Sequence, residues 1–427
     1  MGENLTKAIE IDLGLPDEGV DLAGFYPPRM WDGSGCGLKA SLLVSDLTDG
    51  QKLVFGSIDA LFIDGQFHDA LANRLGKKYH LNIIASHTHN APALAKSLPK
   101  LGKLSAAWFD KVVARIAAGI IDERAVKLAQ IGGGSIATDL VINRRLDAWQ
   151  LDYRRLKKGR LRLVRTVALA PNPNGEVDNE IKAIFFKCAM GKVRAIVWSL
   201  SAHPAFAPEH ASISPDFPGV VGGLLKKAYG DDLISIFLPG FAGSSIPKCP
   251  ALKLGRQSFM QALISLAPFN KSIPVFDPNS YWLWSRNAAN FIKDIVSVSV
   301  WEELHDLQLH HERGQPFTVF RDQSLGDIAL SITAISFGSH AAIITMNGEL
   351  LSEWSALLDV SSHRDGLCIV SGYGVGDCLY VPSESEIARG GYEVERFQEF
   401  FGLSGRFIEN IDTKIRKNLK LVIKKLC

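Results

Sequence analysis

The chain has 427 residues, 47% hydrophobic and 22% charged, with a formal net charge of +2. That balance supplies ample core material and excludes a disordered chain, an acidic tail and the basic excess of a nucleic-acid-binding protein. No stretch reaches the roughly 18 uninterrupted apolar residues of a membrane span, so no transmembrane helix is expected.

The opening MGENLTKAIEIDLG carries Glu3 and Glu10 and no continuous apolar run, which does not fit a secretory leader. Ala40–Asp46 and Lys52–Ile58 read as paired strands joined by the turn Thr48-Asp49-Gly50. Gly65–Tyr79 reads as a helix and Leu81–Ala85 as a short buried strand. Ser105–Lys127 is a longer helix with Trp108, Val112, Ile116 and Ile120 on one face. Strands follow at Leu161–Leu169, Ile181–Phe186 and Val193–Ser199, then a helix at Pro218–Tyr229 and a strand at Leu233–Leu238. Ser280–Leu309 looks helical, Ile328–Phe337 and Ala341–Met346 look like a hairpin, and Gly402–Leu426 closes as a helix. There is no internal repeat and no low-complexity linker. The expected fold class is α/β: one large, layered, mixed-sheet unit over residues 1–427, with a helical insertion or subdomain at about 250–315.

Six cysteines, at 36, 188, 249, 368, 378 and 427, form no C-x-x-C pair. Reduced thiols in a cytoplasmic setting are the expectation, so a metal would need histidine and carboxylate ligands. Arg154–Arg165 and the final helix (Lys414, Arg416, Lys417, Lys420, Lys424, Lys425) are basic. Solvated faces account for both, and weak association with an anionic membrane is the alternative. His305, His310 and His311 with Glu302, Glu303 and Glu312 read as the surface of a helix.

Two histidine groups follow apolar strands. Ser86-His87-Thr88-His89-Asn90 comes after Leu81–Ala85, and in an extended backbone His87 and His89 point to one side. Leu200-Ser201-Ala202-His203-Pro204 comes after Val193–Ser199, with the proline ending the strand. Strand-end histidines in an α/β sheet are candidate metal ligands, because neutral imidazole is the commonest one and ligands gather at one end of such sheets. Glu349 and Tyr380 offer harder oxygen donors.

These segments resemble, in order, those of the neutral, non-lysosomal ceramidase family. SHTHNAP (86–92) is similar to its SHTHSGP, and INRR (142–145) with PNGEVDNEIKAIFF (173–186) to its Asn-Arg-Arg and Asp-Gly-Pro-Val-Asp segments. SAHPAFAPEHASISPDFPGVV (201–221) resembles its AVHP segment, and FLPGFAGSSIPK (237–248) its glycine-rich loop. MNGELLSEW (346–354) resembles the stretch holding the family's glutamate ligand, and LYVPSESEIARGGYE (379–393) its tyrosine-containing block.

The resemblance is to the catalytic portion only, without the C-terminal β-sandwich of full-length ceramidases. It implies one zinc ion per chain, held by His87, His203, Glu349 and Tyr380, with Tyr373 nearby. It places His89 beside the metal, where it would bond the substrate carbonyl or an oxyanion. Asp216, Asn143 and Arg144 are candidates to orient the ligands or wall the pocket, and His210 to line it. The family's serine nucleophile falls by register on Ile246, so Ser245 or Ser244 would serve only after a shift of the loop. The expected reaction is therefore cleavage of an amide, in a small or amphiphilic substrate, by metal-activated water. A zinc esterase or lactonase on the same scaffold and a non-catalytic binding protein are the alternatives.

Overall fold

The expected hairpin forms. Leu38–Asp46 and Lys52–Ile58 pair antiparallel, from Ala40 opposite Ile58 to Asp46 opposite Lys52. The Asp49 carboxylate accepts from the Gln51 N–H at 3.0 Å to shape the turn. The computed structural model describes residues 5–47, 49–122, 126–151, 163–249, 278–304, 307–358 and 366–426. Thr48, His305, residues 250–277 of the expected insertion and residues 154–162 of the first basic stretch lie outside the described residues.

The hairpin sits inside a nine-stranded mixed sheet. Its order is Leu309–Arg313, Ile332–Phe337, Ala341–Asn347, Leu367–Gly374, Tyr79–Ala85, Lys52–Ile58, Leu38–Asp46, Thr6–Gly14, Val126–Lys127. Two neighbour pairs run parallel: Lys52–Ile58 with Tyr79–Ala85, and Ala341–Asn347 with Leu367–Gly374. A five-stranded sheet runs Ile234–Pro239, Val193–Leu200, Glu180–Lys187, Gln130–Ala137, Trp301–Glu303, and its first pair is parallel.

Alternation along the five-stranded sheet explains the layering. Ile184, Phe186, Ala195, Val197, Ile236 and Leu238 join the core shared with the nine-stranded sheet. Their sequence neighbours Ala183, Phe185, Ile196, Trp198 and Phe237 face the other way, onto Phe217 and Val221 of the helix Phe217–Tyr229 and Trp284, Ala288 and Ile292 of the helix Pro278–Val298. The helices Gly65–Leu75, Ala106–Ile121 and Ile411–Lys424 pack against the nine-stranded sheet. The result is helix, sheet, sheet, helix.

Several boundaries differ from the reading of the sequence. The helix expected to reach Tyr79 stops at Leu75, where Gly76 takes φ 85°, and Tyr79 opens the next strand. The helix from Ala106 ends at Ile121, and Val126–Lys127 pairs with Thr6–Gly14. The helix expected over Ser280–Leu309 ends at Val298; Trp301–Glu303 then adds to the edge of the five-stranded sheet and Leu309–Arg313 to that of the nine-stranded one. His310, His311 and Glu312 are thus on a strand, not a helix, because open sheet edges take up these short segments. The strand expected at Ile328–Phe337 is two strands in different sheets, divided at Ser331, whose N–H donates to Asn347 Oδ1. The closing helix runs only over Ile411–Lys424, since Gly402 is in the left-handed conformation and Gly405–Phe407 is a strand.

Candidate functional site

His87 is the second residue after the strand Tyr79–Ala85, and His203 the third after Val193–Leu200. The strands belong to different sheets, so the two histidines meet where the sheets pack. His87 has φ 63°, so the H-x-H stretch is kinked rather than extended as the sequence suggests. Its two imidazoles still converge. His87 Nε2 lies 3.4 Å from His89 Nε2 and 3.2 Å from His203 Nε2, and His89 Nε2 lies 3.0 Å from His203 Nε2. All three side chains are buried.

The loops carrying them are stapled together. The His89 N–H donates to Pro204 O at 3.1 Å, Thr88 Oγ1 to Ser214 O at 2.7 Å, and Asn90 Nδ2 to Glu209 O and Ser212 O. Asp216 caps the helix Phe217–Tyr229 and also accepts from the Phe206 and Ala207 N–H groups at 2.6 and 2.9 Å. It holds the chain just beyond His203 and, in these contacts, reaches backbone rather than the cluster.

The proton positions follow from the partners. His87 Nδ1 faces Leu61 O at 2.9 Å and His203 Nδ1 faces Ala242 O at 3.4 Å. A carbonyl only accepts, so each Nδ1 carries the hydrogen and each Nε2 turns a lone pair inward. Burial, followed by the neighbouring cations and histidines, holds His89 and His203 well below the usual imidazole range, so both are neutral. Facing lone pairs repel unless a cation lies between them. Nitrogens bound tetrahedrally to one zinc ion at about 2.0–2.1 Å lie about 3.3–3.4 Å apart, close to the spacing here. The donor set therefore fits a metal ion, and His89 stands in the same spacing as the two expected ligands.

Glu349 lies against two of the three histidines. Its Oε2 is 3.3 Å from His87 Nε2 and 3.9 Å from His203 Nδ1, and it is buried without a hydrogen-bond partner. Glu349-Leu350 pairs in parallel with Tyr380-Val381, which puts Tyr380 directly beside Glu349. The Tyr380 hydroxyl accepts from Arg144 Nη2 at 3.1 Å. Tyr373, with φ 62°, lays its ring 4.2 Å from that of His87 and leaves its hydroxyl buried and unbonded.

Asn143 and Arg144 lie on the strand Val141–Leu151. Arg144 donates to Gly243 O at 2.8 Å and to Glu393 at 3.1 Å, besides Tyr380. Asn143 lies against the turn before Glu180, where a Cβ on Gly175 would fall 2.5 Å from Asn143 Cγ, so only glycine fits. Arg145, unremarked in the sequence, is fully buried between Glu386 at 2.7 Å and Glu393 at 2.5 Å. All three lie within quoted segments, but a pairing across more than 240 residues leaves no local pattern.

The remaining candidates are placed as follows. Ser245 is fully buried and donates to Ser201 O at 2.5 Å. Ser244 donates to Glu353 at 3.2 Å and to Ser352 at 3.1 Å, and burial, then Glu386, pushes the Glu353 carboxyl up to about 7. Ile246 pairs with Ile142 in a short sheet. His210 is half-buried in the loop after His203. His68 meets Asp69, His340 meets Glu302, and the rings of His311 and His80 are 5.6 Å apart. The final helix buries Ile411, Ile415, Leu419, Val422 and Ile423, leaving its basic face outward. Among the described residues no helix is long and apolar enough to cross a membrane.

No family model matches the sequence, and no curated protein does. Among solved structures, neutral ceramidase from Pseudomonas aeruginosa superposes with a TM-score of 0.70 at 15% identity, over 99% of this chain and 74% of that one. A ceramidase complexed with C2 gives a TM-score of 0.68 at 14% identity, over 99% and 75%. The chain has the neutral-ceramidase fold.

Proposed function

We propose that the chain is a zinc-dependent amidohydrolase that cleaves an amide in a small or amphiphilic substrate with metal-activated water. The observation that carries this reading is the meeting of three buried imidazole Nε2 atoms 3.0–3.4 Å from one another, with an unpaired Glu349 oxygen 3.3 Å from that of His87. The likeness of fold to neutral ceramidases supports it.

His87, His203, Glu349 and Tyr380 would hold the ion. When bound, zinc supplies a Lewis acid and brings a water to a pKa of about 7. Leu61 O and Ala242 O keep His87 and His203 in the ligating tautomer. Burial and Glu349 hold the Tyr380 hydroxyl well above the usual phenol range; Arg144, donating to its oxygen, offsets part of this, while Glu393 fixes the guanidinium. His89 directs an N–H at the substrate oxygen as negative charge develops there. Ser245 spends its hydroxyl on Ser201 O, which favours direct attack by water over a covalent serine intermediate.

Metal content of the purified chain by mass spectrometry, with hydrolysis of N-acyl amides and matched esters measured with and without chelator, tests the reading. One zinc per chain and chelator-sensitive amide cleavage are expected. Cleavage of esters alone would make it an esterase, and a chain that neither binds zinc nor gains stability from it would be a binding protein.

A further inference from the structure

Beside the histidine cluster lies a cation whose donors are mostly idle. Arg29 gives one guanidinium nitrogen, Nη2, to His89 O at 3.1 Å. Its Nε and Nη1 are shielded from solvent and have no hydrogen-bond partner. The guanidinium lies 3.9 Å above the ring of Phe25, which meets the His89 ring at 5.0 Å. Burial lowers the Arg29 pKa to about 10, partly offset by Asp216, so the group is still charged at neutral pH. The Asp216 carboxylate is already engaged by the Phe206, Ala207 and Phe217 N–H groups. A buried, charged donor without an acceptor is costly, and such sites are retained where a ligand brings the acceptor.

His210 completes the setting. Its loop is tied to that of Arg29 through the Asp32 N–H to Ala211 O and the Cys36 N–H to Ile213 O, each at 3.0 Å. Burial and the charge of Arg29 keep its imidazole neutral. One guanidinium beside a neutral imidazole matches a single negative charge, which favours a carboxylate over a phosphate dianion.

We infer that Arg29, with His210 beside it, receives the carboxylate of the substrate, and that the substrate class is the N-acyl amino acids. This rests on the amidohydrolase reading for the position of the scissile bond. The C–N bond breaks, water gives its hydroxyl to the acyl carbon and a proton to the nitrogen, and a fatty or small acid and a free amino acid leave.

The test compares N-octanoylglycine with N-ethyloctanamide, which differs by replacing the carboxylate with a methyl group. Calorimetric binding to the full chain after chelation avoids turnover. The wild type should bind the glycine conjugate at least tenfold more tightly, Arg29→Gln should bring the ratio near one, and Arg29→Lys should lower it at least threefold. Equal affinities in the wild type, no binding of either ligand, or an undiminished ratio in the variants would overturn the inference. If Arg29→Gln does not fold, the wild-type ratio and Arg29→Lys decide. Hydrolysis by the untreated chain separates the two readings: preferential binding without cleavage sinks the amidohydrolase, and cleavage of both amides without preferential binding sinks the carboxylate subsite.

Discussion

The ring nitrogens of His89 and His203 meet at 3.0 Å although 114 residues separate them in sequence. Both are neutral, and the Ala242 carbonyl at Nδ1 leaves His203 Nε2 an acceptor, so it takes either the His89 Nε2 proton or a cation shared with His87 and His89.

Removing one member should therefore abolish metal binding without unfolding the chain. His203→Ala and His87→Ala are each expected to fall from one zinc per chain to near none by mass spectrometry. Added zinc should raise the Tm of the wild type and leave that of the variants unchanged. A variant with full metal content would show the ligand assignment to be wrong.

Asp216 acts at one remove. Asp216→Ala strands three buried N–H groups, those of Phe206, Ala207 and Phe217, at about 1–3 kcal/mol each. Urea unfolding should show a loss of about 3 kcal/mol or more, with metal affinity falling because the chain after His203 loosens. Asp216→Asn keeps one acceptor oxygen and should lose less on both counts.

Glu393 neutralises two arginines at once, Arg144 at 3.1 Å and Arg145 at 2.5 Å, and is fully buried with Arg145. Glu393→Gln leaves two buried guanidinium groups facing an amide, and a loss of about 3–5 kcal/mol is expected. Asp147→Asn, which removes the exposed partner of Arg165 and Arg389, should cost about 1 kcal/mol or less. Equal losses in denaturant titrations would refute the contrast.

The Glu353 carboxyl rises from 4.5 to about 7 on folding, so the folded chain holds a proton that the unfolded chain has released. Stability attributable to this group is complete below about pH 4.5 and is lost as the pH climbs to about 7, by about 3 kcal/mol. Glu353→Gln should flatten the Tm profile across that window and be the more stable protein at pH 8. Parallel profiles would mean that Glu353 titrates normally.

How much of this was legible in the sequence varies with the range of the interactions. The hairpin around residue 50 and the two histidines at apolar strand ends are local patterns, and all are present. Leu367–Gly374, in the middle of the nine-stranded sheet, is not among the elements read from the sequence, although there Gly374 pairs with Ile84 and Tyr373 lies on His87. The helix drawn through Trp301 failed because the edge of Gln130–Ala137 takes up Trp301–Glu303. Arg29 had no local signal at all, since what marks it is two guanidinium nitrogens, Nε and Nη1, left without a hydrogen-bond partner in the folded chain.

His87, His89, Glu349 and Tyr373 hang from the nine-stranded sheet, and His203 from the five-stranded one. An ion held among them would rivet the two layers along their seam. Metal uptake should accordingly report on the docking of the sheets, and a small slip of one layer over the other would dismantle the centre while leaving every strand intact.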